Sequence, residues 1–212
     1  MLIVVANPKG GVGKSTLSTN LSVMFAQRQY TVTLFDADRQ RSSHKWSLLR
    51  DNLGVMPRVH YRVGMGDISG DVQAAQEESQ VVIVDVGGKR GPEAAHALAR
   101  ADHLIVPMAP STFDVWALDD MTAMLDGLKE AGITFKARVV LNNVPYHKNS
   151  IDVRSTRAAL NNYLSYFQPC ESMLVGRGVF RDAITRGLAV PEADTEGKAT
   201  QNLNELHEEL FS

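Results

Sequence analysis

The chemistry of this chain is densest at Lys9-Gly10-Gly11-Val12-Gly13-Lys14-Ser15-Thr16. Three glycines let the backbone N–H groups of Gly10, Gly11, Val12 and Gly13 turn inward around an anion, and a helix starting behind them adds its positive N-terminal end. Lys14 is placed to reach the β- and γ-phosphates of a nucleotide, the Ser15 hydroxyl to ligate Mg²⁺, and Thr16, one step on, to meet the α-phosphate. The common phosphate-loop pattern asks for glycine six residues before the lysine, and Pro8 stands there instead. A second lysine, Lys9, sits at the loop's entrance, poorly aimed at a phosphate in its own loop. Its charge is better used on a nucleotide bound in trans, as an arginine finger is.

Carboxylates follow at two strand ends. Thr33-Leu34-Phe35-Asp36-Ala37-Asp38 puts two acids two residues apart, projecting to one side toward the mouth where an α/β sheet binds ligands; taken alone, such a pair is more often a helix cap plus a solvated loop acid. Val81-Val82-Ile83-Val84-Asp85 is an apolar strand ending in an acid able to hold a metal-bound water, and Gly87-Gly88 behind it lets the next loop move with a γ-phosphate.

To position these groups the chain needs parallel strands alternating with helices. Short β-branched runs predict strands over 2–6, 32–36, 81–85, 104–107 and 138–142, with 60–63 as a further edge strand. Helices are expected over 15–28, 44–52, 68–78, 92–101, 112–131, 151–166, 180–186 and 195–210. In the fifth, Phe113, Trp116, Ala117, Met121, Met124, Leu125 and Leu128 recur every three or four residues, a stripe expected in the core. The fold class expected is α/β: a mostly parallel twisted sheet with helices on both faces, one domain over 1–212.

Composition narrows the setting. The chain has 212 residues, 44% hydrophobic, with 22 basic and 24 acidic residues and a formal net charge of −2, so a uniformly basic nucleic-acid binder is excluded. One cysteine, Cys170, allows neither a disulfide nor a CxxC pair. Residues 1–11 have no basic lead and their apolar run stops at Asn7-Pro8, unlike an export signal. A cytoplasmic location is expected.

The loop resembles that of the ParA/MinD group of deviant Walker A ATPases, whose members carry KGGxGK[ST], and the P-loop NTPase fold of that group is implied with it. The resemblance implies ATP/ADP and Mg²⁺ as ligands and a homodimer formed with ATP, in which Lys9 crosses to the partner's nucleotide. It implies that Asp36 holds the metal's water and that Asp38 orients the attacking water, although Arg39 replaces the proline customary in this switch I segment. Residues 106–118, with Pro107, Pro110, Ser111 and Asp114, look like the group's stretch near the dimer interface. Asn142, ending the strand over 138–142, matches the position that reads adenine, or else caps the strand. Lys9, Lys14 and Asp38 are thus the expected catalytic residues, with slow intrinsic turnover, since no strong general base stands near the loop.

The lone cysteine cannot supply an iron–sulfur cluster, which removes the electron-donating branch. Membrane-binding MinD-type members use a basic amphipathic tail, whereas 191–212 carries six acids and one base; its Leu203, Leu206 and Leu210 are expected to close the core. ParA-type members bind DNA non-specifically as ATP dimers, and the block 136–190, with eight basic and three acidic residues, suits that role. Arg154, Arg157, Arg177, Arg181 and Arg186 are the candidate contacts, unless the block is a solvated face paired with the acidic tail. The similarity therefore implies a short ParA-type partition or cargo-positioning ATPase, nucleoid-associated when ATP-bound, working with a separate centromere-binding or cargo adaptor protein and without a membrane. The alternatives are a dethiobiotin-synthetase-like metabolic enzyme and a MinD-like membrane-associated ATPase.

Overall fold

The computed structural model describes residues 1–88, 91–147 and 150–212. Among these, seven strands form one sheet: β1 (Leu2–Val5), β2 (Val32–Ala37), β3 (His60–Val63), β4 (Val81–Val86), β5 (His103–Met108), β6 (Lys136–Val144) and β7 (Gln168–Val175). The order is β3-β2-β4-β1-β5-β6-β7, and every pairing is parallel. The four residues of β1 and the six of β4 are buried throughout, as apolar strands covered on both faces must be.

Nine helices appear among the described residues: α1 (Lys14–Gln27), α2 (Ser42–Asn52), α3 (Ser69–Glu78), α4 (Pro92–Leu98), α5 (Thr112–Glu130), α6 (Ile151–Leu160), α7 (Gly178–Thr185), α8 (Val190–Ala193) and α9 (Lys198–Phe211). Alternation along the strands sorts them into two layers. Leu2 and Val4 face a cluster with Val72, Leu98, Leu118 and Leu160, contributed by α3 to α6. Ile3 and Val5 face the other, with Leu21 of α1, Trp46 of α2, Ala183 of α7 and Leu203, Leu206 and Leu210 of α9. The C-terminal helix thus closes the core as its leucine spacing predicts. No described helix is long and apolar enough to cross a membrane.

Three expectations are corrected. The segment 168–175 is a seventh strand that the sequence did not suggest, because Pro169, Glu171 and Ser172 interrupt any apolar run. The sixth helix stops at Leu160 and passes through a single 3-10 turn, Asn161–Tyr163, rather than running to residue 166. At the start of α5, Phe113 is 71% and Trp116 59% exposed, stacked edge to face on each other, rather than in the core. The first turn is covered at Asp114 and Val115; the buried face runs on through Leu118, Met121 and Leu125, and Phe113 and Trp116 project away from it.

Candidate functional site

Parallel strands bring every loop in question to one edge of the sheet. The β1–α1 loop, the end of β2 and the end of β4 are adjacent because β4 lies between β1 and β2. Register does the fine positioning: Asp36 pairs directly with Asp85, and Val5, at the start of the phosphate loop, pairs with Asp85 from the other side. Same-register residues of a parallel pair point to the same face, so two carboxylates and the loop converge.

Above them opens a cleft of about 780 Å³, lined among others by Lys14, Ser15, Thr16, Asp38, Gly87 and Gly88. Gly13, the residue before α1, has φ +91°, left-handed backbone that favours glycine, and a Cβ there would lie 2.2 Å from Asn142 Nδ2. The Asn142 side chain donates to Val12 O at 2.7 Å. The amide expected to face a purine therefore braces the phosphate loop from below, and Asn142 is a loop-positioning residue in this structure.

Lys14 is buried, its ammonium donating to Lys9 O at 2.9 Å. Burial lowers its pKa, and Asp85 and Asp38 pull the other way. Asp36 is buried and accepts from two backbone N–H groups, Asp38 at 2.9 Å and His44 at 2.8 Å, which shapes the switch I loop and the first turn of α2. Asp38 itself reaches the cleft and accepts from Gln40 N at 3.0 Å.

Asp85 differs from both. It is fully buried, and neither carboxylate oxygen has a hydrogen-bond partner among the described residues. Burial raises its pKa to about 7; the nearby Ser15 hydroxyl opposes the rise, Asp36 adds to it, and Ser43 and Lys14 oppose it. An orphaned carboxylate beside the Ser15 hydroxyl is a hard-oxygen donor set, which fits Mg²⁺. No three His, Cys, Asp or Glu side chains gather into a metal cage among the described residues. A divalent ion here would therefore complete its shell from outside the protein, with waters and nucleotide phosphates.

The glycines after β4 connect the parts. A Cβ on Gly87 would lie 3.1 Å from Asp38 Cγ, and one on Gly88 would lie 3.1 Å from Pro8 O and 3.2 Å from Gly10 N. Switch I, the phosphate loop and the loop after β4 are thus in direct contact.

Lys9 points elsewhere. It does not line the cleft, and its ammonium pairs with Asp114 of α5, leaving its side chain 38% exposed. Asp114 is buried and accepts also from the Ser111 hydroxyl and from Ala109 N at 3.1 Å. Asp114 as the anchor of Lys9 is a residue whose role sequence reasoning did not assign.

The five candidate DNA-contact arginines do not share a surface. Arg154 and Arg157 lie on α6, in one helical layer, and Arg157 is paired with Glu171 at 3.3 Å. Arg177, Arg181 and Arg186 belong to α7 and its caps, in the opposite layer, with Arg177 stacked on Tyr146. Of the acidic tail, Glu209 accepts from the backbone of Glu171 and Ser172 and lies near enough to Arg138 of the block to feel its charge. Glu192 pairs with Arg50 of α2 at 2.7 Å.

A glycine-rich strand-to-helix loop, a buried lysine and two in-register carboxylates at the carboxyl edge of a parallel sheet define a P-loop nucleotide-binding protein. The chain belongs to the CobQ/CobB/MinD/ParA nucleotide-binding domain family, whose model matches residues 3–200. It is 29% identical over 217 residues to the maintenance of carboxysome distribution protein A of Halothiobacillus neapolitanus, covering 99% of this chain and 95% of that one. It is 32% identical over 116 residues to protein ParA of Rhizobium radiobacter, covering 53% and 50% of the two chains. Among solved structures, apo McdA of Cyanothece superposes with a TM-score of 0.81 at 18% identity, over 99% of this chain and 98% of that one.

Proposed function

We propose that this chain is an ATP-hydrolysing positioning protein: with ATP and Mg²⁺ it forms a sandwich dimer that binds DNA non-specifically, and an adaptor protein stimulates hydrolysis and release. The observation that carries the reading is the place of Lys9. A lysine in the phosphate loop whose ammonium lies outside its own cleft, on Asp114 of α5, has no phosphate to serve within one subunit. Exchanging Asp114 for a partner's phosphate gives it one.

Within one subunit, Lys14 and the loop N–H groups bind the phosphates and Asp38 orients the attacking water. Ser15, Asp36 and Asp85 would hold the Mg²⁺ and its water, and the ion would neutralise charge developing on the phosphates. Asp36 also holds the Asp38 backbone, so the water-orienting acid and the metal side of the site move together. Gly88, lying on Pro8 and Gly10, lets a γ-phosphate displace the loop after β4, and Gly87 passes that displacement to Asp38.

The relatives named for carboxysome distribution and for ParA support a positioning role, with a protein assembly or a DNA element as cargo. Localisation to the nucleoid in the ATP state follows from the same reading. The test is retention of random-sequence duplex DNA with ATP, with ADP and without nucleotide, for the wild type and Lys9→Ala. Retention is expected only for the wild type with ATP; equal retention in all three conditions would sink the switch mechanism.

A further inference from the structure

We propose that switch I is itself part of the DNA-contacting surface: Arg39 and Arg41, with Lys45 of α2, join Arg181 and Arg186 of α7 in one basic face that meets the phosphodiester backbone. This deepens the non-specific DNA-binding reading and rests on it.

The two groups of cations come from segments far apart in sequence, which the packing brings side by side. Trp46 Nε1 donates to Leu188 O at 3.1 Å, and the Arg50 guanidinium to Gly187 O at 3.0 Å. The approach of the chains is tight enough that a Cβ on Gly187 would lie 3.0 Å from the Arg50 backbone. Arg39, Trp46 and Ile184 line the same cleft. Arg181 stands one helical turn before Ile184, and Arg186 immediately precedes Gly187. Arg39, Arg41, Lys45, Arg181 and Arg186 are all exposed, and none of them lies within ion-pair distance of an acid among the described residues. The acids of these segments are Asp36, buried on two backbone N–H groups, Asp38, turned into the nucleotide cleft, Asp182, exposed on α7, and Asp51, 3.9 Å from Arg58.

Arg41 supplies a second line of support. Its φ is +51°, left-handed backbone that glycine or asparagine adopts at far lower cost than an arginine. Its N–H donates to Asp38 O at 2.9 Å, which closes the turn without using the side chain. The Arg41 side chain is exposed and takes no part in holding the turn. Arg39 stands in the same turn, between Asp38 of the site and α2.

Polyanion binding on this face couples directly to the nucleotide. Asp36 holds both ends of the turn through Asp38 N and His44 N, and Gly87 lies against Asp38. A γ-phosphate that shifts the loop after β4 therefore re-aims Arg39 and Arg41 within one subunit, in addition to whatever dimerisation contributes.

The test is fluorescence anisotropy with labelled random-sequence duplex DNA, ATP and Mg²⁺, across a salt series. Arg41→Ala/Lys45→Ala is expected to weaken binding about tenfold, and the slope of log K against log salt should fall by about 0.9 for each phosphate no longer neutralised. Arg181→Ala/Arg186→Ala should do the same, while Arg154→Ala/Arg157→Ala on the opposite layer should bind as the wild type does. Arg41→Gly relieves the left-handed backbone, so it should melt no lower than the wild type and still bind DNA less well. That variant separates removal of a DNA-binding cation from damage to the fold. Wild-type affinity and salt slope in Arg41→Ala/Lys45→Ala would overturn the proposal while leaving DNA binding intact. Absence of ATP-dependent binding by the wild type would overturn the DNA reading beneath it.

Discussion

Replacing Asp85 with asparagine should stabilise the nucleotide-free protein at alkaline pH, although it removes a carboxylate the proposed reaction needs. Asp85 is 0% exposed, has no hydrogen-bond partner among the described residues and titrates near 7 instead of 3.8. Below about 3.8 both folded and unfolded chains carry the proton and the site costs nothing. Between about 3.8 and 7 the unfolded chain has released it while the folded chain retains it, so stability falls as pH rises through that window. Above 7 the cost is complete, roughly 4 kcal/mol at 1.36 kcal/mol per pH unit. The new amide needs partners of its own and gives back about 1 kcal/mol or more. A net gain of about 2–3 kcal/mol at pH 8 corresponds to roughly 5–10 °C in Tm for a chain of this size. The assay is a melting series from pH 4 to pH 8 without nucleotide, in which the advantage of Asp85→Asn should disappear on acidification and become a deficit of up to about 1 kcal/mol near pH 4. A variant that melts at or below the wild type at pH 8, or whose advantage does not change with pH, would refute the account of Asp85.

Two further outcomes concern the scaffold. Arg50 is buried with a bidentate pair to Glu192 and bonds to Gly187 O and Pro57 O. Chemical denaturation of Arg50→Ala should show a loss of about 3–5 kcal/mol, with much of it recovered in Arg50→Met/Glu192→Leu, because the single change leaves a carboxylate buried without its partner. The glycines Gly88 and Gly127 should respond in opposite ways. Alanine at Gly88 meets Pro8 O and Gly10 N and should weaken nucleotide binding at least about fivefold by calorimetry, whereas alanine at Gly127 of α5 meets nothing within 4 Å and should stabilise the fold by roughly 0.5–1 kcal/mol.

The central strands and the phosphate loop were legible because their signals are local. An unbroken apolar run such as Val81–Val84, or glycines in register with lysine and serine, carries its meaning within ten residues. The edge strand β7 was hidden because its environment is made by β6 and α9, not by its own residues. Periodicity placed Phe113 and Trp116 on one stripe with Met121 and Leu125, but at 100° per residue Trp116 lies on the opposite side of the helix from Leu125, and the buried face runs through Asp114, Val115, Leu118, Met121 and Leu125. Apolar spacing marked a stripe, but the covered face of this helix includes a buried acid, Asp114, which an apolar pattern cannot count. The basic block 136–190 is continuous in sequence only: its helices α6 and α7 lie on opposite faces of the sheet, a division no sequence pattern shows. Asp36 and Asp85 were legible as acids at strand ends. Their pairing in register, and the contrast between an Asp36 saturated with backbone donors and an Asp85 with none, belong to the tertiary structure.

The two-layer division has a consequence for how such a protein can diversify. The site occupies the rim that both layers share, yet α3 to α6 and the group α1, α2 and α7 to α9 bury separate clusters on either side of one sheet. Changes on one exterior lie a full sheet thickness from the other and should combine additively. The exposed Phe113–Trp116 pair sits on the first layer, and the arginines around α2 and α7 on the second. A lineage can therefore rewrite what one exterior recognises without retuning the other, while the nucleotide at the rim still governs both.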